Sequence, residues 1–213
     1  MSLYGYWRSS AAYRVRIALN IKQIEHKLIS VHLVKDGGQQ HSGHYKALNP
    51  NELVPTLVDG EFKLNQSMAI LDYLEQKFPH PSLYPQDMQA RSQVQALAND
   101  IACDVHPLNN LRVLNYLSDN LDATAEQKQR WYKHWIELGF QAFEQRLQHV
   151  SGTYCYGDTV TMADLCLIPQ VYNARRFNID LSPFPQIVRI DGNCQKLTAF
   201  ASALPENQTD ATV

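Results

Sequence analysis

The four cysteines of this 213-residue chain, Cys103, Cys155, Cys166 and Cys194, never fall in a C-x-x-C spacing. That shortage speaks against a thioredoxin-type redox pair and against a structural zinc site. The eight histidines form no H-E-x-x-H pattern, so no metal is expected. No apolar run approaches the ~20 residues that a membrane-spanning helix needs. The net charge is only −2 at pH 7, which gives no reason to expect nucleic acid or an anionic membrane surface as a partner. There is no internal repeat and no low-complexity tract. The start, Met1-Ser2-Leu3-Tyr4, lacks the basic and then apolar regions of a signal peptide and reads as a strand. Isolated cysteines in such a chain are as a rule reduced, buried small hydrophobes, and the expected location is cytoplasmic. What is present, 45% hydrophobic and 19% charged residues, is the composition of an ordinary soluble protein. The length suits one large domain or two small ones.

Residues 1–78 mix short strand and helix signals. Leu3-Tyr4-Gly5-Tyr6 reads as a strand and passes through Arg8-Ser9-Ser10 into a helical pattern, with Val15, Ala18 and Leu19 on one face. Residues 26–31 read as a second strand, which makes a βαβ unit with a parallel pair. A polar, glycine-containing loop over 35–40 and a short helix through 45–48 follow, the helix stopping at Asn49-Pro50. Asp59-Gly60 is placed as a two-residue hairpin turn between strands 56–58 and 62–64. Ser67 is placed to cap a helix carrying Ile70, Leu71 and Leu74. The expected order is therefore β-α-β, a short helix, then β-β-α. Pro79, Pro81 and Pro85 mark a linker over 79–86, and an all-helical second domain is expected over 87–213. There Pro107 should interrupt a helix built on Val94, Leu97, Ala98, Ile101 and Val105. Thr124 with Gln127, and Thr161 with Asp164, read as capping boxes. One last weak helix is expected near 187–200, and the tail over 204–210 should fray.

Three features of the first region are candidates for chemistry. Ser9 or Ser10 can cap the first helix, presenting hydroxyls and a positive helix end with Arg8 alongside, which suits an anion such as a thiolate. The backbone at Val54-Pro55 can pair with an extended ligand as an added strand. Gln66-Ser67 opens a helix whose N-terminus can bind a carboxylate. Taken singly each has a plain reading, the first as an ordinary capped helix after a strand. Together, in this order and at these spacings, they resemble the glutathione-binding domain of the cytosolic glutathione transferases. Residues 157–164, Gly-Asp-Thr-Val-Thr-Met-Ala-Asp, are similar to the capping motif of that superfamily's second domain. The resemblance narrows to the zeta class, whose signature S-S-C-x-W-R-V-R-I-A-L is met here by Ser9-Ser10-Ala11-Ala12-Tyr13-Arg14-Val15-Arg16-Ile17-Ala18-Leu19. Lys35-Asp36-Gly37-Gly38-Gln39-Gln40, Ala47-Leu48-Asn49-Pro50, and Pro169-Gln170-Val171 through Arg176-Phe177 resemble the same class, so the likeness covers nearly the whole chain.

The resemblance implies an α/β, thioredoxin-like N-terminal domain, an all-α C-terminal domain, and glutathione as cofactor. It implies isomerisation of maleylacetoacetate or maleylpyruvate to the fumaryl isomer. The thiolate adds to the cis double bond, the bond rotates, and the thiol is eliminated. By the same resemblance Ser9 and Ser10 face the glutathione sulfur, and Val54 pairs with the cysteinyl part, with Pro55 in a cis peptide. Gln66 and Ser67 hold the γ-glutamyl end, and Gln40, His106, Asn110 and Arg112 make further glutathione contacts. Arg8 and Arg176 bind the small anionic dicarboxylate substrate, a task that suits a permanently charged, bidentate guanidinium. A homodimer is also implied, with the hairpin and third helix in its interface. Ala11 stands where the class has cysteine. Because the nucleophile is the cofactor's own thiol, that cysteine is not required, and the choice between Ser9 and Ser10 as thiolate partner stays open.

Plainer readings stand beside these. His106 also reads as a buried, hydrogen-bonded helix histidine, and Arg112 as a surface charge. Of the adjacent Arg175 and Arg176 only one easily faces inward. Arg14 and Arg16 are expected in helix-end or interdomain ion pairs, and Trp131 and Trp135 in the core. Two other functions fit the same residues: a transferase or dehalogenase acting on small halo-acids, and a non-catalytic glutathione-binding member of the fold.

Overall fold

The computed structural model describes residues 1–211, and these form two compact units. The first is Met1–Ser82 together with the described residues from Gln195 onward, and the second is Leu83–Cys194. The sequence reading carries the helical domain to residue 213, whereas the last stretch groups with the first unit; residues 212 and 213 lie outside the described ones.

In the first unit four strands, β1 (Ser2–Gly5), β2 (Lys27–Ser30), β3 (Thr56–Asp59) and β4 (Phe62–Asn65), make one sheet in the order β2-β1-β3-β4. Helices α1 (Ser10–Ile21), α2 (Gly43–Lys46) and α3 (Ser67–Lys77) connect or follow them. β1 and β2 are parallel, because α1 supplies the crossover that a parallel pair needs. β3 is antiparallel to both β1 and β4. Leu3, Val15, Ala18, Leu19, Leu57, Ile70, Leu71 and Leu74 are buried between the sheet and the α1–α3 pair. The hairpin departs from expectation by one residue. Asp59 pairs with Phe62, so Gly60 and Glu61 form the turn and Gly60 takes the positive φ of 63°. Asp59 stays in the strand, its carboxylate accepting the Tyr73 hydroxyl at 2.7 Å and the Lys77 ammonium from α3. Helix α2 starts two residues earlier than expected because Ser42 Oγ caps it, accepting the Tyr45 N–H at 3.3 Å.

This topology decides where a site can be. Tyr4 lies opposite Thr56, and Thr56 opposite Asn65. The C-terminal end of β1, the start of β3 and the end of β4 therefore share one end of the sheet. β2 runs parallel to β1 and finishes there as well, with Ser30 opposite Gly5.

The second unit holds α4 (Met88–Asn99), α5 (Leu111–Leu121), α6 (Ala125–Val150), α7 (Met162–Arg176) and α8 (Pro185–Gln195). Ahead of Pro107 the chain widens into a π-helical turn, Asp100–Val105, in which His106 N–H reaches back five residues to the Ile101 carbonyl at 2.9 Å. A 3₁₀ turn, Pro107–Asn109, then leads to α5. α6 begins at the expected capping box, with Gln127 N–H on Thr124 Oγ1 at 3.2 Å and Thr124 N–H on Gln127 Oε1 at 2.7 Å. Helix α7 is buried on every side over its first ten residues and passes through Pro169 without ending. Its buried Asp164 accepts the N–H groups of Cys155 and Thr161, both at 2.8 Å, and the Thr161 hydroxyl at 3.1 Å. Burial pushes the Asp164 carboxyl up and these donors pull it down.

The expected last helix divides in two, α8 and α9 (Thr198–Ala201). The expected fraying of the tail is not what the described residues show. α9 packs on α1, Pro205–Asn207 forms a 3₁₀ turn, and Ala203, Pro205 and Gln208 are buried. Arg16 Nε and Nη2 donate to the Ala203 carbonyl at 3.2 and 3.0 Å, so a buried guanidinium of α1 takes one of its oxygen partners from the tail.

Asp164→Ala should strand three buried donors and lower the unfolding free energy by about 3 kcal/mol. Equilibrium denaturation reads this loss. Asp164→Asn keeps an acceptor in place and should lose less.

Candidate functional site

The turn between β1 and α1 is built from Tyr6 to Ser10. Ser9 has extended backbone (φ −72°, ψ 118°), and its Oγ accepts the Ala12 N–H at 3.2 Å, so Ser9 is the N-cap of α1. A hydroxyl has one donor and two acceptor sites. With its oxygen engaged by the helix, the Ser9 hydroxyl keeps its proton for an anion placed before the helix end. Ser10 is the first helical residue and is 5% exposed. Arg8 is held over the neighbouring rings. Its Nε and Nη2 donate to the Tyr6 hydroxyl at 3.2 and 3.0 Å, and its guanidinium lies 4.6 Å from the Trp7 ring centroid.

At the same end of the sheet lies the bend before β3. The Val54–Pro55 peptide is cis. Tyr45 Oη and Asn49 Nδ2 both donate to the Leu53 carbonyl at 2.7 Å, and Asn49 Oδ1 accepts from Asn51 N–H and Asn65 Nδ2 at 3.1 and 2.9 Å. The bend is thus braced on one side, while the Val54 backbone forms no hydrogen bond with any described residue. Burial pushes the Tyr45 hydroxyl above its ordinary range. Tyr45 and Asn49 were not picked out from the sequence as site residues. The signals near them are Asn49-Pro50, which reads as a helix stop, and the Ala47-Leu48-Asn49-Pro50 stretch of the family resemblance, neither of which assigns these two side chains a role.

Gln66 adopts a left-handed backbone (φ 69°) immediately before α3, is exposed, and makes no capping bond. Ser67 is buried, and its Oγ accepts from Arg14 Nη1 at 3.2 Å. Arg14 is 1% exposed, so a buried cation stands behind the N-terminus of α3. Gln40 sits in the 3₁₀ turn Gln39–His41 with its Nε2 on the Leu33 carbonyl at 3.3 Å and beside His41 Nε2 at 3.0 Å. Its Oε1 is buried without a partner among the described residues. Gly38 (φ 99°) makes this possible, since a Cβ there would lie 2.6 Å from Gln40 Nε2. The first unit therefore gathers Arg8, Ser9, Ser10, Gln40, Val54, Pro55, Gln66 and Ser67 at one sheet end. An unpaired backbone at Val54 just ahead of β3, an orphaned amide oxygen at Gln40 and a helix N-terminus backed by a cation are a donor and acceptor set that suits an extended peptide with a carboxylate at one end.

The remaining candidates belong to the second unit. His106 is half-buried at the junction of the π turn and the 3₁₀ turn. Asn110 is the N-cap of α5, its Oδ1 accepting the Arg112 N–H at 3.1 Å, and the Arg112 side chain is exposed. Arg176 is exposed at the last turn of α7, 5.0 Å over the Phe177 ring, which stacks on Tyr132 at 3.8 Å. Its neighbour Arg175 is engaged with Asp191 at 2.7 Å.

Comparison with known proteins finds two family models, the glutathione S-transferase N-terminal domain over residues 3–82 and the C-terminal domain over residues 108–205. The chain is 54% identical over 209 residues to a probable maleylacetoacetate isomerase of Vibrio cholerae, covering 98% of this chain and 97% of that protein. Its fold matches the holo structure of a zeta-class bacterial maleylpyruvate isomerase with a TM-score of 0.96 and 43% identity over the full length of both. It also matches a maleylacetoacetate isomerase of Methylobacterium extorquens with bound malonate and glutathione (TM-score 0.95, 39% identity, both chains fully covered).

Gly38→Ala should cost about 2 kcal/mol, because it combines a strained φ with a clash on the Gln40 carboxamide. Gly43→Ala, at an exposed helix position with nothing within 4 Å of the new Cβ, should be tolerated. Urea unfolding of the two variants measures the difference.

Proposed function

We infer the activity from descent: the chain belongs to the zeta class of the glutathione S-transferase family, and it is a glutathione-dependent cis–trans isomerase that converts maleylacetoacetate or maleylpyruvate to the fumaryl isomer. The observation that carries the reading at the site is the pairing of a Ser9-capped helix start with the unpaired Val54 backbone at one sheet end. Glutathione, when bound, supplies the thiol that adds reversibly to the conjugated cis double bond and lets it rotate.

The chain's own residues bind, orient and stabilise charge. A free thiol is only a few per cent ionised at neutral pH. The Ser9 O–H and the positive end of α1 both favour the thiolate. Ser9 is the proposed partner of the sulfur, with Ser10 shaping the first turn behind it. Val54 N–H and C=O pair with the cysteinyl backbone beside Pro55. Gln66 and Ser67 take the γ-glutamyl carboxylate, with the Arg14 charge behind them. The Gln40 amide, His106, Asn110 and Arg112 complete the cofactor's polar contacts. Arg8 and Arg176 clamp the substrate carboxylates, Arg8 being already fixed by Tyr6 and Trp7. Ala11 offers no thiol, and burial pushes the Cys155 and Cys194 thiols up, away from nucleophilic thiolate. This supports the cofactor's sulfur as the nucleophile.

A homodimer is part of the proposal. β4 is an edge strand, and Phe62 on it is 48% exposed, 5.1 Å from Tyr73 of α3. No helix among the described residues is long and apolar enough to cross a membrane, and all four cysteines are free, which fits a reducing cytoplasm.

With glutathione, the cis-enone absorbance of maleylacetoacetate or maleylpyruvate should disappear, and no loss with either substrate would overturn the assignment. Ser9→Ala should lower kcat by about tenfold to a hundredfold, and Ser10→Ala by less. Arg8→Ala and Arg176→Ala should each raise the substrate KM by about tenfold while leaving the glutathione KM near its original value. Phe62→Glu should shift the sedimentation of the protein from dimer to monomer.

A further inference from the structure

We propose that Asp210, near the C-terminus, is a positioning residue for the turn that carries Arg8 and Ser9, acting through the peptide groups of Trp7; this rests on the isomerase reading above. Trp7 lies between the end of β1 and the N-cap of α1, and side chains hold both of its backbone polar groups. Its N–H donates to Asp210 Oδ2 at 3.2 Å, a contact between residues 203 positions apart. Its carbonyl accepts from Arg16 Nη2 at 3.0 Å, and the same guanidinium holds the Ala203 carbonyl. Asp210 Oδ2 also accepts the Ser30 hydroxyl at 2.9 Å, so one carboxylate links the ends of β1 and β2.

The segment that delivers Asp210 is itself braced. Gln208 Nε2 donates to the Ser202 and Leu204 carbonyls at 2.9 and 2.8 Å, and Ala211 N–H returns to the Gln208 carbonyl at 3.0 Å. Ala211 packs against the cluster of Tyr6, Trp7, Val31, Tyr45 and Val54, which lies under the site. The Trp7 ring in turn carries the Arg8 guanidinium, and Ser9 N–H closes the turn on the Tyr6 carbonyl at 2.9 Å. Rotation of the Trp7 peptide would move Arg8 and Ser9 together, and a misplacement near 1 Å is enough to cost about a hundredfold in rate. Asp210 touches neither Arg8 nor Ser9 by any hydrogen bond, and its influence runs through Trp7.

The test compares Asp210→Ala with Asp210→Asn in the full chain. Asn keeps an oxygen that can accept both bonds, whereas Ala removes them. Asp210→Ala should raise the KM for the maleyl substrate and lower kcat together, each by about tenfold, so that kcat/KM falls about a hundredfold, and Asp210→Asn should stay within about twofold of the parent. Amide hydrogen exchange over residues 7–12 should quicken in Asp210→Ala and not in Asp210→Asn. Unchanged exchange and KM in Asp210→Ala would overturn the proposal, as would equal losses in both variants that follow a lowered melting temperature. If the parent protein shows no isomerase activity, the functional reading fails, and the exchange measurement still decides whether Asp210 holds the turn.

Discussion

An α-helix begins with N–H groups that no carbonyl of its own can accept. At α1 the side chain of Ser9 satisfies one of them, bonding the Ala12 N–H at 3.2 Å. That bond sets the entry of the chain into the helix and leaves the Ser9 hydroxyl proton free to donate, while Arg8, one residue earlier, lies over the Trp7 ring. The rest of the first unit serves this corner. The sheet brings the end of β1, the start of β3 and the end of β4 together, so the Ser9 cap, the Val54 backbone and the start of α3 lie at one end of it. The second unit contributes by its own rules, with Asp164 satisfying the opening of α7 from within and Gly139 leaving room for Val105 of the π turn, whose methyl would lie 2.2 Å from a Cβ at that glycine.

The first unit also buries three cations. Removing a cation from water is costly unless oxygens replace the lost hydration. Lys22 Nζ has the Glu75 carboxylate at 2.7 Å and the Phe78 and Pro81 carbonyls at 2.6 and 2.8 Å. Arg16 has the carbonyls of Trp7 and Ala203, and Arg14 the hydroxyl of Ser67. Each of these ties α1 to a different segment: to the residues after α3, to the tail, and to the first residue of α3. The two arginines thus tie α1 to the segments around the candidate site, with Ser67 and the carbonyls of Trp7 and Ala203 among their partners.

Much of this was legible in advance, for physical reasons that are local. Thr124 and Gln127 announce a helix start because capping depends on a three-residue spacing, and the structure forms both bonds. The βαβ unit is readable because a strand, a helical period and a strand in about thirty residues leave few other ways to bury an apolar face. Pro107 announces a break, although not its form, since whether a helix widens into a π turn depends on what packs against it. The hairpin differs from the sequence expectation by one residue because Gly60, with its positive φ, takes the first turn position and leaves Asp59 paired with Phe62. The tail was misread because its polar composition says nothing of a buried arginine awaiting a carbonyl.

The sequence by itself determined the elements, their order, and the residue types that glutathione chemistry requires, because caps, turns and amphipathic periods act over three to seven positions. The tertiary structure alone decided that Ser9 caps α1 while Ser10 lies inside its first turn, that Tyr45 and Asn49 brace the bend at Val54, and that Asp210 reaches Trp7 across 203 positions. Those contacts join residues far apart in the chain. They exist only once burial of the shared core has closed the intervening loops, and no local pattern of residues encodes them.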